Sequence, residues 1–226
     1  TRSGIGGSRA TLRADQLAAE LARIETWSRK GLRAIAVAVW EVQDGTVPGR
    51  DEETEMDLVG YVLFEDPVKP GLAQVVADLR RHGVSLKIIS GDNRHVAAYV
   101  AEAVGLPGTT VLTGDDLSRL SRRSLARRLS QVDVFAEVTP DQKEHIIEAY
   151  RHMGKVVGYL GDGINDAPAL RAADLGISVD NAVPAAREAA DVVLLERNLH
   201  VLLDGIITGR TSFANTLKYV SITTSA

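Results

Sequence analysis

Tyr159-Leu160-Gly161-Asp162-Gly163-Ile164-Asn165-Asp166-Ala167-Pro168 is the stretch whose reading decides the fold. The apolar residues from Val156 to Leu160 lead into it as a buried strand. The strand stops at Gly161, and the glycines at 161 and 163 let the backbone turn sharply and approach a ligand closely. Asp162 and Asp166, with Asn165 between them, place two carboxylates and an amide at the strand's C-terminal end. Pro168 suits the first turn of a following helix. Hard oxygen ligands in such a loop suit Mg²⁺, commonly with phosphate as co-ligand. An ordinary loop of solvated acids accounts poorly for a pattern as tight as Gly-Asp-Gly-x-Asn-Asp.

The same alternation continues on both sides. Towards the C-terminus the pattern predicts a strand at Leu175 to Val179, a helix near Pro184 to Ala190, a strand at Val192 to Leu195 and a last helix over 198–221. Towards the N-terminus, a strand from Val132 to Phe135 leads through Thr139-Pro140 into a helix over 140–153. Before it, a helix over 71–82 buries Leu72, Val75, Val76 and Leu79, and a strand from Val84 to Ile89 ends in Ser90-Gly91-Asp92. A helix from Asn93 to Val104 stops near Gly105-Leu106-Pro107-Gly108. Short helices over 115–130 carry Arg119, Arg122, Arg123, Arg127 and Arg128. With no aromatics interleaved, this run reads as a solvated helix face rather than a phosphate or lipid site.

Repeated βα units with continuous apolar strands imply an α/β fold, a doubly wound parallel sheet with helices on both faces. Such sheets bind ligands beyond the carboxyl ends of their strands. Ser90, Asp92, Thr139, Lys143, Asp162 and Asp166 all fall at those ends. A hydroxyl, an ammonium and two carboxylates converging there suit phosphoryl transfer, in which Mg²⁺ and a lysine offset the charge on the moving group. Lys143 gains weight from its place at a helix start, whose positive end also favours an anion.

The first third reads differently. Residues 1–10 are Gly/Ser-rich and read as a flexible linker; no strand precedes Gly4, Gly6 and Gly7, so they do not read as a phosphate loop. A helix over 11–30 puts Leu17, Leu21 and Ile24 on one face, with Gly31 as its cap. A strand from Leu32 to Val42, a turn at Asp44-Gly45, an acidic loop from Asp51 to Asp57 and a strand from Leu58 to Phe64 complete what reads as the tail (11–64) of a small α+β domain. Glu65-Asp66-Pro67-Val68-Lys69-Pro70 is the expected boundary, with the core over 65–197 and a terminal helix over 198–226. The 226 residues are 45% hydrophobic, normal for a chain with a real core, and a net charge of −4 argues against nucleic acid as main partner. Without cysteine there is no disulfide and no thiolate chemistry. No run of about 18 apolar residues is present to span a bilayer.

Taken in order, Ser90-Gly91-Asp92, Thr139-Pro140-x-x-Lys143 and Gly161-Asp162-Gly163-x-Asn165-Asp166-Ala167-Pro168 resemble the phosphorylation domain of P-type cation-transporting ATPases, which have a haloacid dehalogenase-like core. Asp66-Pro67 resembles that family's hinge between nucleotide and phosphorylation domains, and Lys30-Gly31-Leu32-Arg33 the end of its nucleotide domain. The runs Ala172 to Asp180, Glu188 to Asp191, Leu194 to Glu196 and Gly209 to Phe213 look most like the magnesium-transporting branch, and Thr223 to Ala226 resembles the entry to a membrane helix. The resemblance implies a parent in the cell membrane with this region on the cytoplasmic side, ATP and Mg²⁺ as cofactors, and the transported cation and the parent's own membrane helices as partners. It implies that Asp162 ligates Mg²⁺, with Asp166 orienting the ion or its water. By the same resemblance Lys143 contacts the phosphoryl group, Ser90 and Gly91 hold its oxygens, Asp92 supports the loop and Asn165 binds phosphate or orders the loop. The resemblance also implies that Arg33 contacts nucleotide phosphates.

Three departures accompany it. The family's nucleophile, an Asp in Asp-Lys-Thr-Gly-Thr, is absent and is expected upstream of Thr1, together with the strand that carries it. Its loss is expected to leave unpaired edges or a gap in the core, with non-physiological association as a risk. Val42-Gln43-Asp44-Gly45-Thr46 imitates a nucleophile loop, but Val42 stands where the attacking carboxylate belongs, so the stretch reads as a hairpin. Pro67-Val68 replaces the family's Pro-Pro, and Glu137 stands where many pumps carry a base that reaches the nucleotide, so it is expected to repel ATP. A soluble dehalogenase-type phosphatase and a non-catalytic Mg²⁺- or phosphate-binding module stay open as alternatives.

Overall fold

The computed structural model describes residues 2–3, 10–11, 13–39, 56–106, 110–196 and 198–225. The glycines at 4, 6 and 7, the Asp44-Gly45 turn with its Val42 to Thr46 neighbours, the acidic loop over 51–55 and Pro107-Gly108 lie outside the described residues.

The N-terminal segment is a helix on a mixed sheet. Helix α1 (Ala14–Ser28) is capped at Arg29, and the turn after it closes at Gly31, whose φ of 80° suits a residue without a β-carbon. It leads into β3 (Leu32–Val39), which pairs antiparallel with β4 (Asp57–Glu65), with a register shift between Val37 and Ala38. Two short strands, β1 (Arg2–Ser3) and β2 (Ala10–Thr11), extend that sheet in the order β2-β1-β4-β3, with β1 parallel to β4 and antiparallel to β2, so part of the expected linker is paired backbone. Trp27 of α1 meets Tyr61 of β4 edge to face, with ring centroids 5.3 Å apart. Leu17 and Leu21, placed with Ile24 on one helix face, are exposed, and α1 meets the sheet through Trp27.

From Leu72 onward the chain alternates as expected. In order come α2 (Leu72–Arg81), β5 (Ile88–Ile89), α3 (Arg94–Ala103), β6 (Val111–Thr113), α4 (Gly114–Ser118), α5 (Arg122–Leu129), β7 (Val134–Ala136) and α6 (Pro140–His152). Then follow β8 (Gly158–Leu160), α7 (Ala167–Ala172), β9 (Leu175–Val179), α8 (Pro184–Ala189), β10 (Val192–Leu194) and α9 (Leu199–Thr224). Every strand pairing in this part is parallel. The strands form two sheets, β5-β7-β6 and β10-β9-β8, so β5 and β8 each have one partner among the described residues. The α/β class with helix-flanked parallel strands therefore holds.

Helices join the two sheets. Along β7, Val134 and Ala136 face Val76 of α2 and Ala97 and Ala101 of α3, while Phe135 faces Leu129 of α5 and Ile146 of α6. Ile147, the next residue of α6, instead packs with Tyr159 of β8 and Leu170 of α7. Ile89 of β5 touches both of those clusters. On the other side, Val75 and Leu79 of α2 pack on Leu203 of α9, whose neighbours Val201 and Leu202 cover Ile177, Val179 and Leu194. Arg210 of α9 donates to the carbonyl of His82 at the end of α2, 2.6 Å away. Past Arg210 the helix projects, with Phe213, Tyr219 and Ile222 exposed.

Two expectations are corrected. Val156 is 90% exposed rather than buried in a strand, because the amide of Val157 is taken by Asp174 and pairing begins at Gly158. The strand β6 was not expected at all. Arg119, Arg123, Arg127 and Arg128 are exposed, as a solvated helix face requires.

Candidate active site

The acidic loop is pinned from below by β9. The Gly161 N–H donates to the Ile177 carbonyl at 3.1 Å, and the buried Ser178 hydroxyl donates to the Gly161 carbonyl at 2.9 Å. The Val183 N–H donates to the Asp162 carbonyl at 3.1 Å. A single 3₁₀ turn, Ile164–Asp166, then folds the Asp166 side chain back beneath Gly161. A β-carbon at Gly161 would lie 2.6 Å from that of Asp166, so only glycine fits there.

Asp166 is the hub. Its Oδ1 accepts from Lys143 Nζ at 2.7 Å and from the Tyr159 hydroxyl at 2.8 Å, and its Oδ2 accepts from the Gly163 N–H at 3.0 Å. The Lys143 and Asp166 side chains are only 12% and 13% exposed. Burial pushes the Asp166 carboxyl up, but the bonds from Lys143, Tyr159 and Gly163, with the Lys143 charge, outweigh it and hold the group below the usual carboxylate range. Burial pushes the Tyr159 phenol well above its ordinary value, and the charges of Asp166 and Asp162 push the same way. Tyr159 therefore stays a neutral donor, and both carboxylates lie within electrostatic reach of it.

A folded-state value below the unfolded one means that Asp166 contributes stability above about pH 4, the ordinary carboxylate range, and loses it as the pH falls through the lowered value. Asp166→Asn should thus flatten the acid limb of stability against pH, read as the urea midpoint between about pH 2 and 5. Asp116, held low first by the Thr113 hydroxyl, keeps part of that limb in place. An unchanged slope in Asp166→Asn would show that the pairing does not carry it.

Lys143 reaches Asp166 because of how α6 begins. Thr139 caps the helix, its Oγ1 accepting from the Gln142 N–H at 3.4 Å while Gln142 Oε1 accepts from the Thr139 N–H at 3.0 Å. Pro140 follows at a position where a missing N–H costs nothing. The ammonium has three donors, and Asp166 takes one.

The second loop hangs on β7 through the Ser90 N–H, which donates to the Phe135 carbonyl at 2.8 Å. Ser90 Oγ donates to Asp92 Oδ2 at 3.0 Å and accepts from the Asp92 N–H at 3.0 Å. Arg33, on β3, reaches the same Asp92 Oδ2 at 2.5 Å. The structure thus brings Arg33, Ser90 and Asp92 together, and separately Lys143, Asp166 and Tyr159. The two groups are joined by backbone: the Val138 N–H donates to the Ser90 carbonyl at 3.2 Å, one residue before Thr139. Gly91, Asp162 and Asn165 are exposed at the strand ends, and Asp66 is exposed on the segment between β4 and α2. Glu137, expected to repel ATP, is exposed. Its Oε1 accepts from the Arg94 N–H at 3.0 Å.

Among the described residues no cluster of three or more His, Asp or Glu is arranged to hold a metal. The donor set at Asp162 and Asp166 nonetheless fits Mg²⁺, which keeps several waters and takes one or two carboxylates plus phosphate oxygens. Asp162 is exposed at the loop's mouth, and both oxygens of Asp166 accept hydrogen bonds. Sequence reasoning missed Tyr159 and Ser178. Tyrosine in a buried strand needs a partner for its hydroxyl, which was the available signal for the first.

Comparison with known proteins agrees with this architecture. A family model for haloacid dehalogenase-like hydrolases matches residues 8–174, and a second of the same description matches 143–206. Over 204 residues, 89% of this chain, it is 47% identical to a magnesium-transporting ATPase, P-type 1, of Escherichia coli (strain K12), of which it covers 23%. It is 32% identical over 198 residues to calcium-transporting ATPase 1 of Saccharomyces cerevisiae, with 85% of this chain and 21% of that protein covered. A probable cation-transporting ATPase I of Mycobacterium tuberculosis is 36% identical over 207 residues, covering 86% of this chain and 13% of the relative. The chain thus spans about a quarter or less of the relatives it matches. Parallel strands flanked by helices, an acidic loop at their carboxyl ends and a family match over most of its length make the chain a member of the haloacid dehalogenase-like hydrolase family.

Proposed function

We propose that the chain is the nucleotide and phosphorylation region of a P-type ATPase that couples Mg²⁺-dependent ATP hydrolysis to cation transport, the cation being Mg²⁺. The observation that carries this reading is the Lys143–Asp166 pair, formed by separate βα units at the carboxyl ends of parallel strands, next to Asp162. The identity to magnesium-transporting ATPases supports the choice of ion. Residues 11–64 are then the end of the nucleotide domain, 65–197 the phosphorylation core, hinged at Asp66-Pro67, and 198–226 the helix leading to the membrane. The parent sits in the cell membrane, with this region on the cytoplasmic side.

A further parallel strand bearing the nucleophilic Asp would pair with β5 and β8, each of which lies at an edge of its sheet among the described residues. The Asp carboxylate attacks the γ-phosphorus as the bond to the ADP oxygen breaks, and water later cleaves the aspartyl phosphate. Lys143 offers its other donors to the moving phosphoryl, and Ser90 and Gly91 hold its oxygens, while Asn165 binds phosphate or orders the loop. Asp92 and Arg33 orient that loop and the nucleotide. Asp162, with Asp166 behind it, holds Mg²⁺, which neutralises phosphate charge when bound.

The isolated chain should form no acid-stable phosphoenzyme from labelled ATP, because Asp-Lys-Thr-Gly-Thr is absent from its sequence. A chain extended to include that motif should form one. Label on the isolated chain, or none on the extended one, would remove the reading. By itself, the chain is a Mg²⁺- and phosphate-binding module.

A further inference from the structure

Glu137 is the one residue other than glycine with positive φ among the described residues, at 57°. An L-residue there brings its β-carbon close to its own carbonyl, so the conformation persists only where the surroundings impose it. Burial does not impose it, because Glu137 is exposed. Hydrogen bonds do. Its N–H donates to the Asp92 carbonyl at 2.9 Å, and the next N–H, that of Val138, donates to the Ser90 carbonyl at 3.2 Å. Its carboxylate accepts from the Arg94 N–H at 3.0 Å, in the first turn of α3, where a negative charge also suits the helix end. Three bonds therefore lace residues 137–138 to residues 90–94.

Glycine would take this φ without strain. It would leave the Arg94 N–H without that acceptor. A strained glutamate is explained if its side chain does something glycine cannot.

We propose that Glu137 is a positioning residue: its left-handed backbone and its carboxylate clamp the Ser90–Asp92 loop to the start of α6, and so fix the Ser90 hydroxyl relative to the Lys143 ammonium. The clamp stands on geometry alone; that it serves a phosphoryl group rests on the function proposed above. It also explains why an acid is tolerated here. The carboxylate is turned onto a helix end rather than towards a bound anion.

The test compares wild type, Glu137→Gln, Glu137→Ala and Glu137→Gly in the 226-residue chain. Amide exchange at Arg94 and Val138 is followed by NMR, and vanadate binding with Mg²⁺ by calorimetry. Glu137→Gln keeps an acceptor oxygen and should keep both amides protected, with binding within about twofold of wild type. Glu137→Ala should speed exchange at both amides by about tenfold or more and weaken vanadate binding by about tenfold. Glu137→Gly should restore Val138 but not Arg94. Wild-type exchange rates in Glu137→Ala, or Glu137→Gln behaving as badly as Glu137→Ala, would overturn the clamp. Failure of wild type itself to bind vanadate with Mg²⁺ would count against the proposed function, while the exchange rates would still decide the clamp.

Discussion

Asp162→Asn is expected to weaken Mg²⁺ binding, measured by calorimetry with vanadate as phosphate analogue, by at least about tenfold, or about 1.4 kcal/mol. Replacing one oxygen of a carboxylate by an amide removes the charge that a small, hard cation needs from its few protein ligands. The control is Asp174→Asn. Asp174 lies at the opposite ends of β8 and β9, where its carboxylate accepts from the Val157 N–H at 2.9 Å and from Arg151 Nε at 2.8 Å. It is an acid of the same sequence neighbourhood with a purely structural job, so its replacement should leave Mg²⁺ affinity nearly unchanged. Equal losses in the two variants would mean that the chain responds to charge in general and that the acidic loop is not the metal site.

The largest loss of stability should come from Asp166→Ala. The change leaves the Lys143 ammonium, 12% exposed, without its counter-charge and removes the acceptor of the Tyr159 hydroxyl. Breaking a buried pair from one side costs about 3 kcal/mol, chiefly through the charge left behind. At a slope of about 3 kcal/mol per molar, the urea midpoint should fall by about 1 M. Adding Lys143→Met to Asp166→Ala should recover part of that loss, since the stranded charge goes with it. A single variant as stable as wild type, or a double variant worse than the sum of its parts, would show that Lys143 and Asp166 do not act as a pair.

The fold was legible where hydrophobic pattern and punctuation agree. The helix over 140–153 announces itself by Thr139-Pro140 at its start, and the structure ends it at His152. The strand at Leu175 to Val179 is found where its Val/Ile pattern puts it. Val111–Thr113 was missed because three residues show no period. The start of β8 was misplaced because hydropathy cannot reveal that Asp174 captures the Val157 amide. At the site, residue types were legible but partnerships were not. Lys143 was expected at the phosphoryl and is found on Asp166, and Arg33, expected at a nucleotide, is found on Asp92. Both pairings join residues far apart in sequence, and no local spacing encodes them.

The bond between Arg210 and His82 divides α9 into an anchored part and a projecting part. At 1.5 Å per residue, the anchored stretch from Leu199 is roughly 18 Å long and the projecting one to Thr224 roughly 21 Å. The helix is thus a lever whose fulcrum lies beside α2, with arms of similar length. A tilt of about ten degrees there would swing the free tip by about 4 Å. Small adjustments where α2 grips Leu203 would therefore arrive at the far end as displacements larger than a bond length.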